Sequence, residues 1–218
     1  KASKKKYLDA ANIFQEGILY HPDNDTLEYN CAIALVDGQK FFQGALKLRK
    51  LLSKYPDNDK ILSSYAKALY ELKKYTLSFK YYYKAYTHNK TNLDILINIG
   101  IVLIKLSKYL EALEFLKLAN KSKSKRSLIL RNIAFCYKSL NNYDFAISFY
   151  LESINLEDSY IGSYIELGSI YLDMNKYDLA NNIFHKASTI AQNILESHKL
   201  DSIKNKTLYE IGVLFTII

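Results

Sequence analysis

Stepping along the chain from Ala10 in strides of 34 residues lands on Gly44, Ser78, Ala112, Ala146 and Ala180, a small residue every time. Three residues before each stands an aromatic ring: Tyr7, Phe41, Tyr75, Tyr109, Tyr143 and Tyr177. Four residues after each come Phe14, Leu48, Tyr82, Leu116, Tyr150 and Phe184. A second series of small residues, Ala32, Ala66, Gly100, Ala134, Gly168 and Gly212, follows Cys31, Tyr65, Ile99, Ile133, Leu167 and Ile211. Each of these is followed three residues on by Leu35, Leu69, Leu103, Tyr137, Tyr171 or Phe215. Spacings of three and four mark one face of a helix. A fixed period of 34 means that each unit is one supersecondary element, which buries its apolar face only against its neighbours. Each unit therefore holds two helices, A then B, joined by a short turn such as "LKKY" or "LNNY".

The small residues have a physical reason. Where helix A crosses helix B, a position with little side chain lets the backbones approach, and the bulky neighbour fills the hollow beside it. The strings "HPDND" and "YPDND" put Pro22 and Pro56 after a helix B, at the corner between hairpins. A proline there ends the helix, because it lacks the N–H and its ring blocks the preceding turn. Asp25, with Glu28 three residues on, is the expected N-cap of the following helix A.

Composition agrees. The 218 residues are 49% apolar with 7 Gly and 2 Pro, too apolar for disorder and too poor in turn residues for an all-β fold. The formal charge of +8 is uneven: residues 59–126 carry 14 basic and 5 acidic side chains, and residues 127–218 carry 7 and 10. A basic middle favours acidic partners or nucleic acid. No apolar run reaches the ~18 residues of a membrane span. Two cysteines, Cys31 and Cys136, make no disulfide framework and leave the compartment open; cytoplasm is the expectation, or periplasm if a leader was removed upstream.

These residues resemble the tetratricopeptide repeat, whose 34-residue pattern runs large, hydrophobic–small, aromatic, Ala, aromatic, Ala, Pro. The resemblance covers essentially the whole chain. It departs in having no Trp, in placing Glu28 at the first large position, and in replacing the closing Pro by Lys90, Ser124 and Asp158. It implies an all-α, right-handed superhelical solenoid of antiparallel helix pairs. The phase sets the units: a half repeat (helix B) over 1–24, full repeats over 25–58, 59–92, 93–126, 127–160 and 161–194, and a half repeat (helix A) over 205–218. The step from Gly168 to Gly212 is 44, so ten residues are inserted, read as an extension of the fifth helix B to about 204. The chain is expected to be a fragment of a larger protein.

No Gly-rich phosphate loop, G-x-S-x-G elbow or H-E-x-x-H occurs. His21, His88, His185 and His198 are scattered away from metal-ligand spacing. The expectation is a non-enzymatic protein with no cofactor and no metal. The resemblance further implies that the helix A face turned from helix B lines a groove for a peptide or protein segment. Here that face would present Tyr29, Asn30, Ile33, Lys67, Asn98, Ile101, Arg131, Asn132, Phe135, Lys138 and Glu166. Ile97, Ile101, Ile104 and Phe135 read as an apolar strip there. Lys60, Lys67, Arg131 and Lys138 beside it suit a partner with apolar and acidic character. Asn30, Asn98 and Asn132 share one register position and could grip a peptide backbone. The Lys and Asn spacing of the family's carboxylate clamp is absent. Two alternatives stand: self-association through the apolar segment from Leu208 to Ile218, and nucleic-acid contact through the basic middle, where "KSKSKR" (121–126) is the densest run.

Overall fold

The computed structural model describes the backbone of residues 2–197 and the side chains of residues 4–194. Helices α1 (Ala2–Tyr20), α2 (Asp25–Asp37), α3 (Phe41–Lys54), α4 (Asp59–Glu71), α5 (Tyr75–His88) and α6 (Leu93–Lys105) are followed by α7 (Tyr109–Ala119), α8 (Arg126–Ser139), α9 (Tyr143–Leu156), α10 (Ile161–Asp173) and α11 (Tyr177–Ser197). No strand occurs among the described residues. The chain is an all-α solenoid of helix pairs. It divides after Lys108 into two compact units, one holding α1–α6 and the other α7–α11.

In the first unit each helix packs on the next, and α2 also touches α4. The second unit follows the same rule, with α8 touching α10. The helices numbered even are the A helices, so A lies beside A between α2 and α4 and between α8 and α10. This is the packing expected when a hairpin can bury its apolar face only on its neighbours.

Each turn from A to B is built alike. Gln39, Lys73, Ser107, Asn141 and Asn175, at strides of 34, have φ of 63°, 59°, 58°, 58° and 57°. The next backbone N–H donates five residues back: Lys40 to Leu35 (2.7 Å), Lys74 to Leu69 (2.9 Å), Lys108 to Leu103 (2.9 Å), Asn142 to Tyr137 (2.9 Å) and Lys176 to Tyr171 (2.8 Å). These are Schellman closures, which satisfy the orphan carbonyls of a helix end through one left-handed residue. Glycine would be the usual choice, and asparagine tolerates the position.

The corners from B to A differ between the units. Asn24, Asn58 and Asn92 cap α2, α4 and α6, each side chain accepting from two backbone N–H groups of the first turn. The sequence pattern assigned the first cap to Asp25; the cap is Asn24. Asp25 begins the helix instead and accepts from Lys54 Nζ at 2.7 Å and Tyr55 Oη at 2.8 Å. The second unit uses no side-chain cap before α8 or α10.

The helix crossings centre on the small residues. Ala32, Ala66, Ala112, Ala134, Ala146 and Ala180 are fully buried. Ser78 is equally buried and donates its hydroxyl to the Ala66 carbonyl at 2.7 Å. A methyl group on Gly44 would lie 2.5 Å from Val36 Cγ2 and 2.9 Å from the Ala32 carbonyl oxygen. One on Gly168 would lie 2.5 Å from the Phe184 ring. Leu48, Tyr82, Leu116, Tyr150 and Phe184 fill the hollows between crossings. Glu28 sits in the place held elsewhere by Leu62, Leu96 and Leu130. It is buried, and its carboxylate meets Lys50 Nζ at 3.2 Å. Helix α11 is 21 residues long, against 14 for α9. The assignments beyond residue 197, including the segment 205–218, lie outside the described residues.

Candidate protein-interaction face

The first unit carries six of the candidate residues: Tyr29, Asn30 and Ile33 on α2, Lys67 on α4, and Asn98 and Ile101 on α6. All are half-buried except Lys67, which is exposed. Two contacts tie α2 to α4 along this face. Tyr29 Oη and Ser64 Oγ lie 3.1 Å apart, and Lys67 Nζ lies 2.8 Å from Asp37 Oδ1. The amides of Asn30 and Asn98 hold no partner among the described residues. Ile101 and Ile104 are half-buried. Ile97 departs from the expected strip: at 3% exposure it belongs to the core with Ile95 and Ile99. A helix buried on both flanks has a wider apolar arc than the pattern assigned to it.

The second unit carries the other five: Arg131, Asn132, Phe135 and Lys138 on α8, and Glu166 on α10, all half-buried. Here the charges are already matched. Lys138 Nζ donates to Glu166 Oε2 and to Ser169 Oγ, both at 2.6 Å, bridging α8 to α10. Arg131 Nη1 donates to Glu157 Oε2 at 2.7 Å and to Ser127 Oγ at 3.0 Å, and its guanidinium lies 3.7 Å from the centre of the Tyr160 ring. Partial burial pushes the Glu157 carboxyl up, but the hydrogen bonds from Arg131 and Ser127 outweigh it and hold it below its ordinary value. Asn132 donates to the Leu128 carbonyl of its own helix at 2.8 Å, which uses one of its donors. Phe135 meets the Tyr109 ring edge-on at 6.4 Å. Beneath them the Tyr150 side chain is 2% exposed, and its hydroxyl makes no hydrogen bond among the described residues. Burial pushes its ionisation well up.

Sequence reasoning missed Tyr160, Ser127 and Asp37 as partners of this face. Their signal is positional: Ser127 and Tyr160 open and close one 34-residue unit, so both lie at corners.

Groups that would carry chemistry elsewhere fill space here. Cys31 and Cys136 are buried. Burial raises both thiols, Cys136 to about 12, far from the depressed values of reactive cysteines. His21, His88 and His185 are exposed; His198 lies outside the described residues. Among the described residues no three His, Cys, Asp or Glu side chains gather as metal ligands, and no helix is long and apolar enough to cross a membrane. The basic run borders a shallow recess lined by Lys123, Lys125, Arg126, Ser127, Leu128, Leu156 and Glu157. Arg126 is bonded there to Glu152 at 2.6 Å.

No curated protein matches the chain by sequence. Solved structures do match by fold. One is MamA, residues 41 to the end, from Desulfovibrio magneticus RS-1: 16% identity, TM-score 0.73, covering 78% of this chain and 97% of that one. PilF of Pseudomonas aeruginosa is similar at 16% identity and TM-score 0.68, with 88% and 83% covered. YrrB, described as a TPR protein with an unusual peptide-binding site, is similar at 18% identity and TM-score 0.67, with 87% and 100% covered. A tetratricopeptide-repeat family model matches residues 161–194, the stretch that the 34-residue period marks as the fifth unit. That match lies in one unit, and the same helical hairpin recurs along α2 to α11, so the chain is similar in fold to the tetratricopeptide-repeat proteins.

Proposed function

We propose that the chain is a non-enzymatic scaffold that holds a segment of another protein along the A-helix face of one of its units. The observation that carries this reading is the burial of that face. Ten of the eleven candidate residues are half-buried, neither sealed in the core nor left to water like the B-helix residues Phe42 and Leu110. Half-buried apolar and amide groups on rigid helices can take up a segment with little ordering of their own side. YrrB, with the same fold, is described as having a peptide-binding site, which supports the reading.

On the first unit the segment would place apolar side chains against Ile33 and Ile101 and its backbone against Asn30 and Asn98; on the second it would place an apolar side chain against Phe135. An acidic side chain would reach Lys60, which is exposed. It would reach Arg131 or Lys138 only by displacing Glu157 or Glu166. Apolar and amide contacts therefore lead, and charge tunes.

The test is selection of a peptide from a random displayed library on the 218-residue chain. The selected peptide is then titrated against variants by fluorescence anisotropy. Ile101→Ala or Phe135→Ala, whichever lies under the peptide, should weaken it about tenfold or more, the loss of one buried apolar anchor at ~1.5–3 kcal/mol. Affinity unchanged in Ile33→Ala, Ile101→Ala and Phe135→Ala alike would refute the assignment of the face.

A further inference from the structure

Helices α3 and α5 of the first unit hold no Asp or Glu, whereas α1, α7, α9 and α11 each hold two. Both have described helices before and after them in the chain, and α4 packs on both. Tyr65 of α4 packs on the core around Leu48 and Leu51 of α3 and meets the Tyr81 ring of α5 edge-on at 4.8 Å. At the C-terminal ends Lys84 of α5 donates to the Pro56 carbonyl, just past α3, at 2.8 Å and meets Asp57 at 3.0 Å. Helices α3 and α5 therefore lie side by side. Their outward arcs carry bulky apolar groups: Phe42, Leu46 and Leu77 are 65%, 52% and 48% exposed. Arg49 and Lys80, three residues past Leu46 and Leu77, continue the same faces. Lys40, Lys73 and Lys74 stand in the turns just before the two helices. All five cations are exposed, and none forms an ion pair among the described residues. Lys50, Lys54 and Lys84, by contrast, are paired with Glu28, Asp25 and Asp57. Lys40 to Arg49 is a rise of about 14 Å along a helix, so the apolar groups lie between two close sets of cations.

We propose that this face of α3 and α5 docks on an anionic lipid surface, with Phe42, Leu46 and Leu77 entering the headgroup–acyl boundary and the five cations meeting headgroup phosphates. Charge complementarity sets the sign of the partner, since neither helix supplies a carboxylate to oppose the cations. Near the turns, Asp37 is taken by Lys67 and Glu71 offsets one charge, which leaves the excess positive. The apolar groups decide the partner's class. Nucleic acid offers phosphates to the cations and bases to aromatic planes, but it gives leucine side chains no partner. Groups this exposed stand out from their helices, which suits entry into a yielding surface rather than reception of a protein partner's side chains. The boundary of a bilayer takes Phe and Leu together with Lys and Arg. No described helix is long and apolar enough to cross a membrane, so the contact is peripheral. The residues of the proposed peptide site all lie on A helices, so the two surfaces are separate.

The test is co-sedimentation of the 218-residue chain with vesicles at low ionic strength. Vesicles of phosphatidylcholine with about one-third phosphatidylglycerol should take up the chain about tenfold or more better than phosphatidylcholine alone, and salt should weaken the uptake. Arg49→Glu with Lys80→Glu, and Phe42→Ser with Leu46→Ser, should each lower the partition about tenfold or more, with far-ultraviolet circular dichroism matching the parent. Leu110→Ser, an equally exposed apolar residue of the other unit, should partition like the parent. If either double variant loses helicity, Lys40→Glu with Lys74→Glu takes its place with the same expected loss, since a carboxylate is favourable at a helix start. No uptake by the anionic vesicles overturns the proposal. So does equal uptake by neutral vesicles, or parent-like partition of both double variants. A single-stranded oligonucleotide or polyglutamate bound where vesicles are not overturns it as well, and assigns the face to nucleic acid or to an acidic protein.

Discussion

Replacing Gly44 by alanine tests the reason for the 34-residue pattern. In most exposed helix interiors Gly→Ala stabilises by about 1 kcal/mol, through backbone entropy and helix propensity. At Gly44 the new methyl would lie 2.5 Å from Val36 Cγ2, 2.9 Å from the Ala32 carbonyl oxygen and 3.3 Å from the Val36 nitrogen. Carbon contacts are most favourable near ~3.5–4.0 Å, so relief requires about 1 Å of movement. Two of the three atoms are backbone of α2 and cannot swing aside. Overpacking of this sort costs roughly 1–3 kcal/mol. Set against the propensity gain, the net expectation is a loss of about 0–2 kcal/mol, against a gain at a position with room for the methyl. Gly17 is the control. A methyl there meets only the Leu27 side chain, Cδ1 at 3.3 Å and Cδ2 at 3.8 Å, the free end of a flexible group, so Gly17→Ala should gain about 0.5–1 kcal/mol. Urea unfolding followed at 222 nm gives both values; midpoints and slopes are compared together, because repeat arrays lose two-state character readily. If Gly44→Ala is as stabilising as Gly17→Ala, close approach is not why the position is small.

Three other perturbations have definite signs. Glu28→Leu should raise stability by about 1–3 kcal/mol, since a buried ion pair is often no better than an apolar side chain of similar size, and Lys50 is mostly exposed and keeps its hydration; a lower melting temperature would contradict this. Lys73→Gly should stabilise by roughly 1 kcal/mol, as it removes a left-handed non-glycine residue from a Schellman turn, whereas Asn141→Gly should change little; equal effects would refute the conformational argument. The carboxyls of Asp25, Asp57 and Glu157 lie below their ordinary values, Asp25 through hydrogen bonds from Lys54 and Tyr55 and Asp57 through Lys84. A depressed folded-state value contributes stability that is complete above the unfolded values near ~4 and is lost as pH falls through the folded ones. The melting temperature should therefore be level near neutrality and fall below about pH 4, and Asp25→Asn should shrink that fall; melting that is flat into strong acid would contradict it.

The period made most of the fold legible. Ala112, Ala146 and Ala180 could be placed at crossings because small residues recur there at one stride while the rest of the helix varies. The five left-handed turn residues are legible only afterwards, since Gln, Lys, Ser and Asn share no turn signature. The cap was misplaced by one residue because Asn24 and Asp25 are both good caps, and only the backbone decides which lies outside the helix. The candidate face was legible as a set of register positions, not as a set of charges. Lys138 and Glu166 are 28 residues apart in sequence, and nothing local shows that they meet. Ile97 was misassigned because the register that faces a groove in one repeat turns inward when the helix is apolar nearly all round.

Hydrogen exchange with and without a selected peptide addresses the central claim most directly. Binding along the A-helix face predicts slowed exchange in α2, α4 and α6, or in α8 and α10, with α3, α5 and α9 little changed. Protection concentrated in the B helices, with the A helices unaffected, would contradict the account.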